Sequence, residues 1–489
     1  LKHFKNIYKG DTATPLSNVQ QELFFELPEE IIDKDFGLLS ICDGNLQITK
    51  HAAQESRIAK VLNRRAKWQL NNNRNPSFNV SNLSPTSDRS QLQAINDSIF
   101  RNLSIIIGGP GSGKTRTAAA VIAAKCEATN EHLGMPDICL LAPTGKSAIR
   151  LTEGFIEALN NLNIKTQTRK LLRLKAKTIH SQLNLINKFD ILLIDEFSMV
   201  SLEIMDTILQ KIEKTTQLVL LGDPNQLPSI DAGNILVDIC NSKSMKSSIS
   251  RLMGQHRVQK NSNLFELHEK CRNGEIKDFV KQLRNDPNIT WLNYSQPGVI
   301  YNFLIQNFKT YFEAWLKKEE KSEYEFQCLT AISSGLFGRN SINEIARKLN
   351  KRIGLKGVGD RILITQNQSS LDLSNGDIGS LLDSESVPSR RLQIDKTDNT
   401  IWLSQVICPN YAYAISIHRS QGSEYKHSLI ALPDPTLNSQ MILTRELLYT
   451  AITRSKEKIS IIGEEKQIVN ALVNRTNRKT CLNFYLKSF

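Results

Sequence analysis

The run Ile105-Ile106-Ile107-Gly108-Gly109-Pro110-Gly111-Ser112-Gly113-Lys114-Thr115 sets three β-branched apolar residues before a glycine-rich loop closed by a lysine and a threonine. Such a loop lets backbone N–H groups converge on a phosphate, and the start of a following helix adds partial positive charge. The residues that follow, Arg116 to Lys125, read as that helix, with alanines at 118–120 and 123. The pattern is strand, GxxxxGK[ST], helix. Gly108, Gly109, Pro110, Gly111, Ser112 and Gly113 would cradle the phosphates. Lys114 would reach the β- and γ-phosphates, and the Thr115 hydroxyl would ligate Mg²⁺. The chemistry is nucleotide binding; the loop alone does not say what the nucleotide drives.

A second constellation supports hydrolysis. Ile191-Leu192-Leu193-Ile194 is an apolar strand that ends in Asp195 and Glu196. Behind a P-loop, the first acid holds Mg²⁺ and the second polarises the attacking water. Two acids after a strand are common on their own; at this distance from the loop they become a strong signal. A further strand, Leu218–Leu221, leads into Gly222-Asp223-Pro224-Asn225-Gln226-Leu227-Pro228. Gln226 would contact the γ-phosphate and report its loss; the plainer reading is a surface turn, since Gly, Asp, Pro and Asn are turn residues. Thr144 and Lys146, in Leu141-Ala142-Pro143-Thr144-Gly145-Lys146-Ser147-Ala148, and Thr178 and His180, in Thr178-Ile179-His180, would put hydroxyls and a cation at the top of the sheet, where a phosphodiester strand would lie. Lys165, Arg169, Lys170, Arg173, Lys175 and Lys177 precede Thr178 and read either as a phosphate-tracking patch or as a solvated face.

These residues need a parallel sheet to hold them. Ser104–Ile107, Ile138–Leu141, Asp190–Ile194 and Leu218–Leu221 are short, continuous apolar runs, as expected for strands covered on both faces. Helical stretches lie between them, which gives an α/β doubly wound domain over about 85–250. Residues 1–84 read as a small N-terminal domain and linker. Leu38–Cys42 and Leu46–Thr49 form a hairpin around Asp43-Gly44-Asn45. A helix follows from about His51 to Leu70, with Ile58, Val61 and Leu62 on one stripe and Lys60, Arg64, Arg65 and Lys67 on a basic side that is a solvated face or a contact for a partner or DNA. Asn71–Pro85, rich in Asn, Ser and Pro, reads as the linker. A second alternating region fills 251–489: strand Phe326–Thr330, helix Ser341–Lys351, strand Ser428–Leu432, helix Arg445–Thr450 and strand Lys458–Ile462. Between about 357 and 410, Arg361–Thr365, Ile378–Leu382, Arg391–Ile394 and Ile401–Leu403 are short strand-like pieces between polar turns, which reads as a small inserted β-barrel.

Composition narrows the classes. Charged residues make up 23% and hydrophobic ones 40% of 489 residues, an ordinary globular balance. Lys+Arg exceeds Asp+Glu by 13, which fits a polyanionic partner or a merely basic surface. The eight cysteines are scattered without a CxxC pair, so no zinc or iron–sulfur site is expected, and reduced thiols in a cytoplasmic protein are the simplest account. No apolar run is long enough to span a bilayer, and the first residues lack a signal peptide's apolar core. No membrane association is expected.

Taken in order, Gln91, the P-loop, LAPTGKSA, TIH, LLIDEFSMV, LLGDPNQLP, QHR, SIHRSQGSEY and LLYTAITRS resemble the ordered motifs of superfamily 1 DNA helicases, over about Gln91 to Gly463. More narrowly, Phe337-Gly338…Asn343, Leu373-Ser374-Asn375-Gly376-Asp377-Ile378-Gly379, Ala414–Glu424 and the tail Asn474–Lys479 resemble the RecD family, alpha subunits of exonuclease V. The resemblance implies two RecA-like P-loop domains that sandwich ATP and Mg²⁺, an SH3-like barrel insertion and a small N-terminal domain that docks a partner. It implies that Gln91 reads adenine, that Lys114, Thr115, Asp195 and Glu196 carry the ATP chemistry, and that Gln226, Arg257, Gln421 with Gly422, and Arg454 couple it to the second domain. Thr144, Lys146, Thr178, His180, Asn375, His418 and Ser420 would lie near single-stranded DNA. Arg419 stands where the family often has lysine, which keeps the charge. The implied activity is a 5′→3′ DNA translocase and helicase acting at double-strand DNA ends with RecB-like and RecC-like subunits. Three other readings remain beside it: a stand-alone helicase of the same superfamily, a structural subunit with a dead ATPase, and a nuclease. The intact Lys114, Thr115, Asp195 and Glu196 argue against the second. The third has no carboxylate-rich cluster, and only about 25 residues follow Gly463, far fewer than a typical nuclease domain; nuclease activity is expected in a partner.

Overall fold

The computed structural model describes residues 10–24, 38–68, 80–128, 135–253, 262–293, 297–316, 326–395, 399–433 and 442–489. They form two compact units, the first from residues 1–143, 147–257 and 477–489, the second from 144–146 and 258–476.

The first unit begins with a three-stranded antiparallel sheet of β1 (Ala13–Pro15), β2 (Leu39–Cys42) and β3 (Asn45–Ile48), in the order β1-β3-β2. The expected hairpin is β2–β3, with Cys42 opposite Asn45. Its two turn residues, Asp43 (φ +49°) and Gly44 (φ +69°), both lie in the left-handed region that a tight two-residue hairpin requires. Helix α1 (Thr49–Lys67) follows, and Ile58, Ala59 and Leu62 are fully buried in the core beneath the large sheet. Arg65 departs from the basic face expected of it. It is buried, donating from Nη1 to Asn102 Oδ1 (2.8 Å) and to the Thr216 carbonyl, and from Nη2 to the Glu213 carbonyl (2.5 Å). A guanidinium with several donors can be buried when carbonyls meet them, and here it joins α1 to the large sheet. The expected linker also ends early: residues 71–79 lie outside the described ones, but Val80–Leu83 is a helical turn with Val80 and Leu83 buried.

The large sheet has six parallel strands, β4 (Leu103–Ile107), β5 (Ile138–Ala142), β6 (Lys177–Thr178), β7 (Ile191–Ile194), β8 (Gln217–Gly222) and β9 (Ile249–Arg251), in the order β6-β5-β7-β8-β4-β9. Every residue of β4 and β7 is buried, which is why they read as unbroken apolar runs. The edge strands β6 and β9 have two and three residues, too few to carry a pattern. Helix α2 (Arg89–Ile99) opens on a capping box between Asp88 and Gln91, and helix α3 (Lys114–Ala128) packs its alanines 118–120, 123 and 124 flat against the sheet.

Residues 477–489 return to this unit. The C-terminal helix Leu482–Ser488 buries Leu482 and Leu486 beside α1, and Asn63 Nδ2 donates to the Leu486 carbonyl at 3.0 Å. Glu55 is the knot of this junction. Its carboxyl accepts from Thr12 Oγ1, from Gln47 Nε2 (2.8 Å) and from the Cys481 N–H (3.0 Å), which joins β1, β3, α1 and the C-terminal segment. Nearby, Asp238 Oδ2 accepts from Thr480 Oγ1 at 2.9 Å.

The second unit holds a five-stranded parallel sheet of β10 (Ile289–Leu292), β11 (Phe326–Thr330), β17 (Ala414–Ser416), β18 (Tyr425–Ala431) and β19 (Ser455–Ile462), in the order β10-β19-β18-β11-β17. Between β11 and β17 the chain forms a separate antiparallel sheet of β12 (Arg361–Leu363), β13 (Ile378–Leu381), β14 (Arg391–Ile394), β15 (Thr400–Trp402) and β16 (Asn410–Tyr411). It has its own apolar core around Ile364, Leu381 and Leu392, and the buried Arg361 pairs with Asp395 across it (2.8 Å). Sequence reasoning missed β10 and β17, of four and three residues. No helix among the described residues is long and apolar enough to cross a membrane.

Burial pushes the Glu55 carboxyl up to about 7 and that of Asp238 up to about 8. A carboxyl raised in the fold favours the folded state below its unfolded pKa and loses that advantage as pH rises through its folded value. The melting temperature should therefore fall between about pH 5 and 8, and Glu55→Gln should make that fall shallower. A melting series across this range checks it; an unchanged slope in the variant would mean that Glu55 is already ionised in the fold.

Candidate active site

Strands β7, β8 and β4 are neighbours in that order, with Ile194 beside Leu220 and Gly222 beside Ile107. All three run parallel, so the loops at their C-terminal ends leave one edge of the sheet side by side. They are Asp195-Glu196 after β7, Asp223–Gln226 after β8 and Gly108–Gly113 after β4. The Gly108 N–H donates to the Gly222 carbonyl at 3.2 Å, tying the last two together.

The glycine-rich loop has the shape its sequence implies. Gly111 (φ +76°) and Gly113 (φ +82°) lie in the left-handed region, where a side chain would be strained. Ser112 Oγ folds inward to the Gly109 carbonyl (2.8 Å). Lys114 is the first residue of α3, and its Nζ lies inside the loop, donating to the carbonyls of Gly108 (2.7 Å) and Gly109 (3.1 Å). Thr115 follows in the first helical turn. Gln91 is fully buried behind the loop. Its side-chain oxygen accepts from the Asp88 N–H (3.2 Å) and its Nε2 donates to the Ser112 carbonyl (3.2 Å), so it fixes the loop to the start of α2.

Burial and the neighbouring Glu196 charge raise the Asp195 carboxyl above its ordinary range, while the Glu196 N–H (2.8 Å from Oδ1), Lys114 and Arg150 pull it down. A carboxylate held this way gains from any cation placed beside it. Glu196 has φ +49° and ψ +43°, a left-handed conformation that costs a non-glycine residue about 1 kcal/mol. In the third loop, Asp223 Oδ1 accepts from the Asn225 N–H (3.0 Å) and Nδ2 (3.1 Å), and the Gln226 N–H donates to the Asp223 carbonyl (3.2 Å). Gln226 is buried, and its Oε1 has no hydrogen-bond partner among the described residues. A buried amide oxygen left open costs on the order of 1–3 kcal/mol and marks where a donor fits.

This set suits a nucleoside triphosphate with a divalent cation: converging N–H groups, an ammonium, a helix start, a hydroxyl and two carboxylates. No group of three or more His, Cys, Asp or Glu among the described residues could hold a metal on its own. A cation at Thr115 and Asp195 would take the rest of its oxygen shell from phosphate and water, as Mg²⁺ usually does. Two further cations come with the site. Arg116 follows Thr115, and its Nε and Nη2 are buried without a hydrogen-bond partner among the described residues. Arg150 acts electrostatically on Asp195. The first was legible as a neighbour of the motif; nothing in the spacing marks the second.

Of the residues expected near DNA, Thr178 is partly exposed and its Oγ1 accepts from the Ser181 N–H (3.4 Å) as a helix cap, and His180 is exposed. Thr144 and Lys146, just past β5, are partly exposed.

In the second unit Asn375 is exposed and His418 half-buried. Ser420 corrects the reading: it is wholly buried, and its hydroxyl donates to the Ile417 carbonyl at 2.7 Å, so the side chain presents nothing to a DNA strand. Gln421 is buried beside Gly422, which has φ +71°. Arg454 is buried and donates from Nε to the Thr450 carbonyl (3.0 Å), from Nη1 to the Ser423 carbonyl (3.1 Å) and from Nη2 to Thr453 Oγ1 (3.0 Å). It thus braces the loop that carries Gln421. Arg257, with Gln255 and His256, lies outside the described residues.

Residues 86–294 match the model of an AAA domain, and residues 411–462 that of a UvrD-like helicase C-terminal domain. The RecBCD enzyme subunit RecD of Mycolicibacterium smegmatis is 29% identical, over 83% of this chain and 76% of that protein. The ATP-dependent RecD2 DNA helicase of Deinococcus radiodurans is 26% identical, over 76% of this chain and 48% of that protein. The RecBCD enzyme subunit RecD of Buchnera aphidicola (subspecies Acyrthosiphon pisum) is 30% identical over 87% of this chain and 80% of its own length, and with that extent of likeness the chain belongs to the RecD family.

Proposed function

We propose that the chain is an ATP-dependent 5′→3′ single-stranded DNA translocase and DNA helicase, the motor subunit of a RecBCD-type enzyme that acts at double-strand DNA ends in recombinational repair. The observation that carries the ATPase is the emergence of the P-loop, Asp195-Glu196 and Gln226 from three adjacent parallel strands. The DNA work, the 5′→3′ direction and the RecB-like and RecC-like partners follow from the family.

Lys114 and the loop N–H groups bind the phosphates, and Thr115 and Asp195 would hold Mg²⁺, which would supply charge neutralisation for the phosphate. Glu196 orients and polarises the attacking water. Gln226 answers to the γ-phosphate through its Nε2 donors, and its open amide oxygen is left to accept from the attacking water. Gln91 sits wholly buried behind the loop with its amide bonded to Asp88 and Ser112, and would read adenine by exchanging those bonds. The two parallel sheets are RecA-like, and the antiparallel sheet between β11 and β17 is an SH3-like barrel that helps hold one strand during unwinding. Arg257, Gln421 and Arg454 couple nucleotide state to the second domain, and a phosphodiester strand runs by Thr144, Lys146, Thr178, His180, Asn375 and His418. The N-terminal domain docks a partner subunit. The nuclease of the assembly resides in a partner, and the enzyme works in the cytoplasm. A stand-alone helicase, like the RecD2 relative, is the second reading; gel filtration with and without candidate partners separates the two.

Lys114→Gln removes the phosphate-binding charge while leaving the helix start intact. DNA-stimulated ATP hydrolysis should fall at least roughly a hundredfold with little change in melting temperature. Normal turnover in that variant would overturn the site. Arg454→Ala strips the Ser423 carbonyl of its guanidinium donor and leaves the Thr450 carbonyl to Thr453 Oγ1, and should cost about 1–3 kcal/mol in urea unfolding of the second unit. A neutral outcome would mean that Arg454 is not the brace of the Gln421 loop.

A further inference from the structure

The segment from Asp223 to Asn234 connects β8 to the helix Ile235–Asn241 without regular secondary structure. It carries Gln226, and its internal bonds are short-range: Asn225 and Gln226 bond back to Asp223, and Ser229 Oγ donates to the Asp231 carbonyl (2.9 Å). The Leu202 N–H on the Ala232 carbonyl ties it to the rest of the unit, and so does one guanidinium. Arg478 Nη2 donates to the Ser229 carbonyl at 2.6 Å, and its Nη1 donates to the carbonyls of Asp231 (2.8 Å) and Gly233 (2.7 Å). Three carbonyls of a five-residue stretch thus converge on one planar group, and Ser229 lies three residues beyond Gln226, with Pro228 between to stiffen the link. A lysine ammonium could not match this fork.

The brace is assembled from both ends of the chain. Arg478 belongs to the C-terminal segment 477–489 that rejoins the first unit. It is anchored by the next residue: the Lys479 N–H donates to Asp11 Oδ1 (2.8 Å), and the Lys479 carbonyl accepts from the N–H groups of Thr12 (2.9 Å) and Ala13 (3.0 Å). Gly10, one residue before Asp11, lies against the guanidinium. A Cβ built on Gly10 would lie 2.3 Å from Arg478 Cζ, and the Gly10 carbonyl accepts from the Gly233 N–H at 2.9 Å. The N-terminal sheet, the C-terminal segment and the Gln226 loop therefore share one junction.

We infer that Arg478, packed under Gly10, is a positioning residue for ATP hydrolysis: it holds the 226–233 loop so that the Gln226 amide meets the γ-phosphate. The inference rests on the proposed role of Gln226. It also makes the N-terminal domain a part of the hydrolytic apparatus, since displacing Gly10–Ala13 removes one wall of the junction.

The test is a double-mutant cycle on the full chain, with single-stranded DNA-stimulated ATP turnover as the readout. Arg478→Lys should lower kcat roughly ten- to a hundredfold with KM for ATP nearly unchanged, the scale expected when a reacting group is misplaced by about 1 Å. Gln226→Ala should lower kcat by at least as much, and the double variant should be no worse than Gln226→Ala alone. Gly10→Ala, whose methyl would displace the guanidinium and which strains a left-handed backbone position (φ +86°), should reproduce the Arg478→Lys effect with Gln226 intact and add nothing to Gln226→Ala, and it carries the same test if Arg478→Lys fails to fold. Losses that multiply in the double variant, or an unchanged kcat in both Arg478→Lys and Gly10→Ala, would overturn the inference. An unchanged kcat in Gln226→Ala itself would instead overturn the role given to Gln226.

Discussion

A parallel sheet covered on both faces has only its edges for chemistry, and that constraint organises the first unit. Because β4 and β7 are buried along their length and β8 from Leu218 onward, polar groups reach solvent only at the strand ends. Because they run parallel, the ends that carry the P-loop, Asp195-Glu196 and Gln226 coincide at one edge. The close sheet–helix packing supplied by the alanines of α3 then sets Lys114 and Thr115 at that edge. Catalytic geometry here is a by-product of strand order: the order β7-β8-β4 brings three loops distant in sequence next to one another.

The second theme is the burial of charge as a structural tie. Arg65, Glu55, Arg454 and Arg478 are all largely buried, and each satisfies its charge with backbone carbonyls, N–H groups or side-chain partners rather than with solvent. Each tie joins segments far apart in the chain. Such groups are costly to bury and costlier still to strip of one partner, which makes them specific joints rather than sources of net stability. The Glu55 and Arg478 joints together bind residues 10–13 and 478–481 to the loop beside the candidate nucleotide site.

These ties explain which parts of the molecule the sequence displayed. Long apolar strands such as Ile105–Ile107 and Ile191–Ile194 announce themselves, as does the Asp43-Gly44 turn, because local sterics and burial set them. The P-loop and the acid pair were legible because their chemistry fixes residue type and spacing together. Short edge strands such as Lys177–Thr178 carry no periodicity, and the fate of Arg65 depends on carbonyls at 213 and 216, about 150 positions away. The same holds for Ser420, whose hydroxyl turns inward to Ile417, and for Arg478, whose partners at 229–233 no local pattern points to. Tertiary partners decide whether a polar residue is surface, joint or site.

The proposed motor couples ATP turnover at Lys114 to directional movement on DNA. The most direct measurement is strand displacement, with ATP, on duplexes bearing either a 5′ or a 3′ single-stranded tail, using the chain together with the proposed RecB-like and RecC-like partners held helicase-inactive. A 5′→3′ motor in this subunit unwinds from the 5′ tail alone. Unwinding from the 3′ tail alone, or equal unwinding from both, would contradict it.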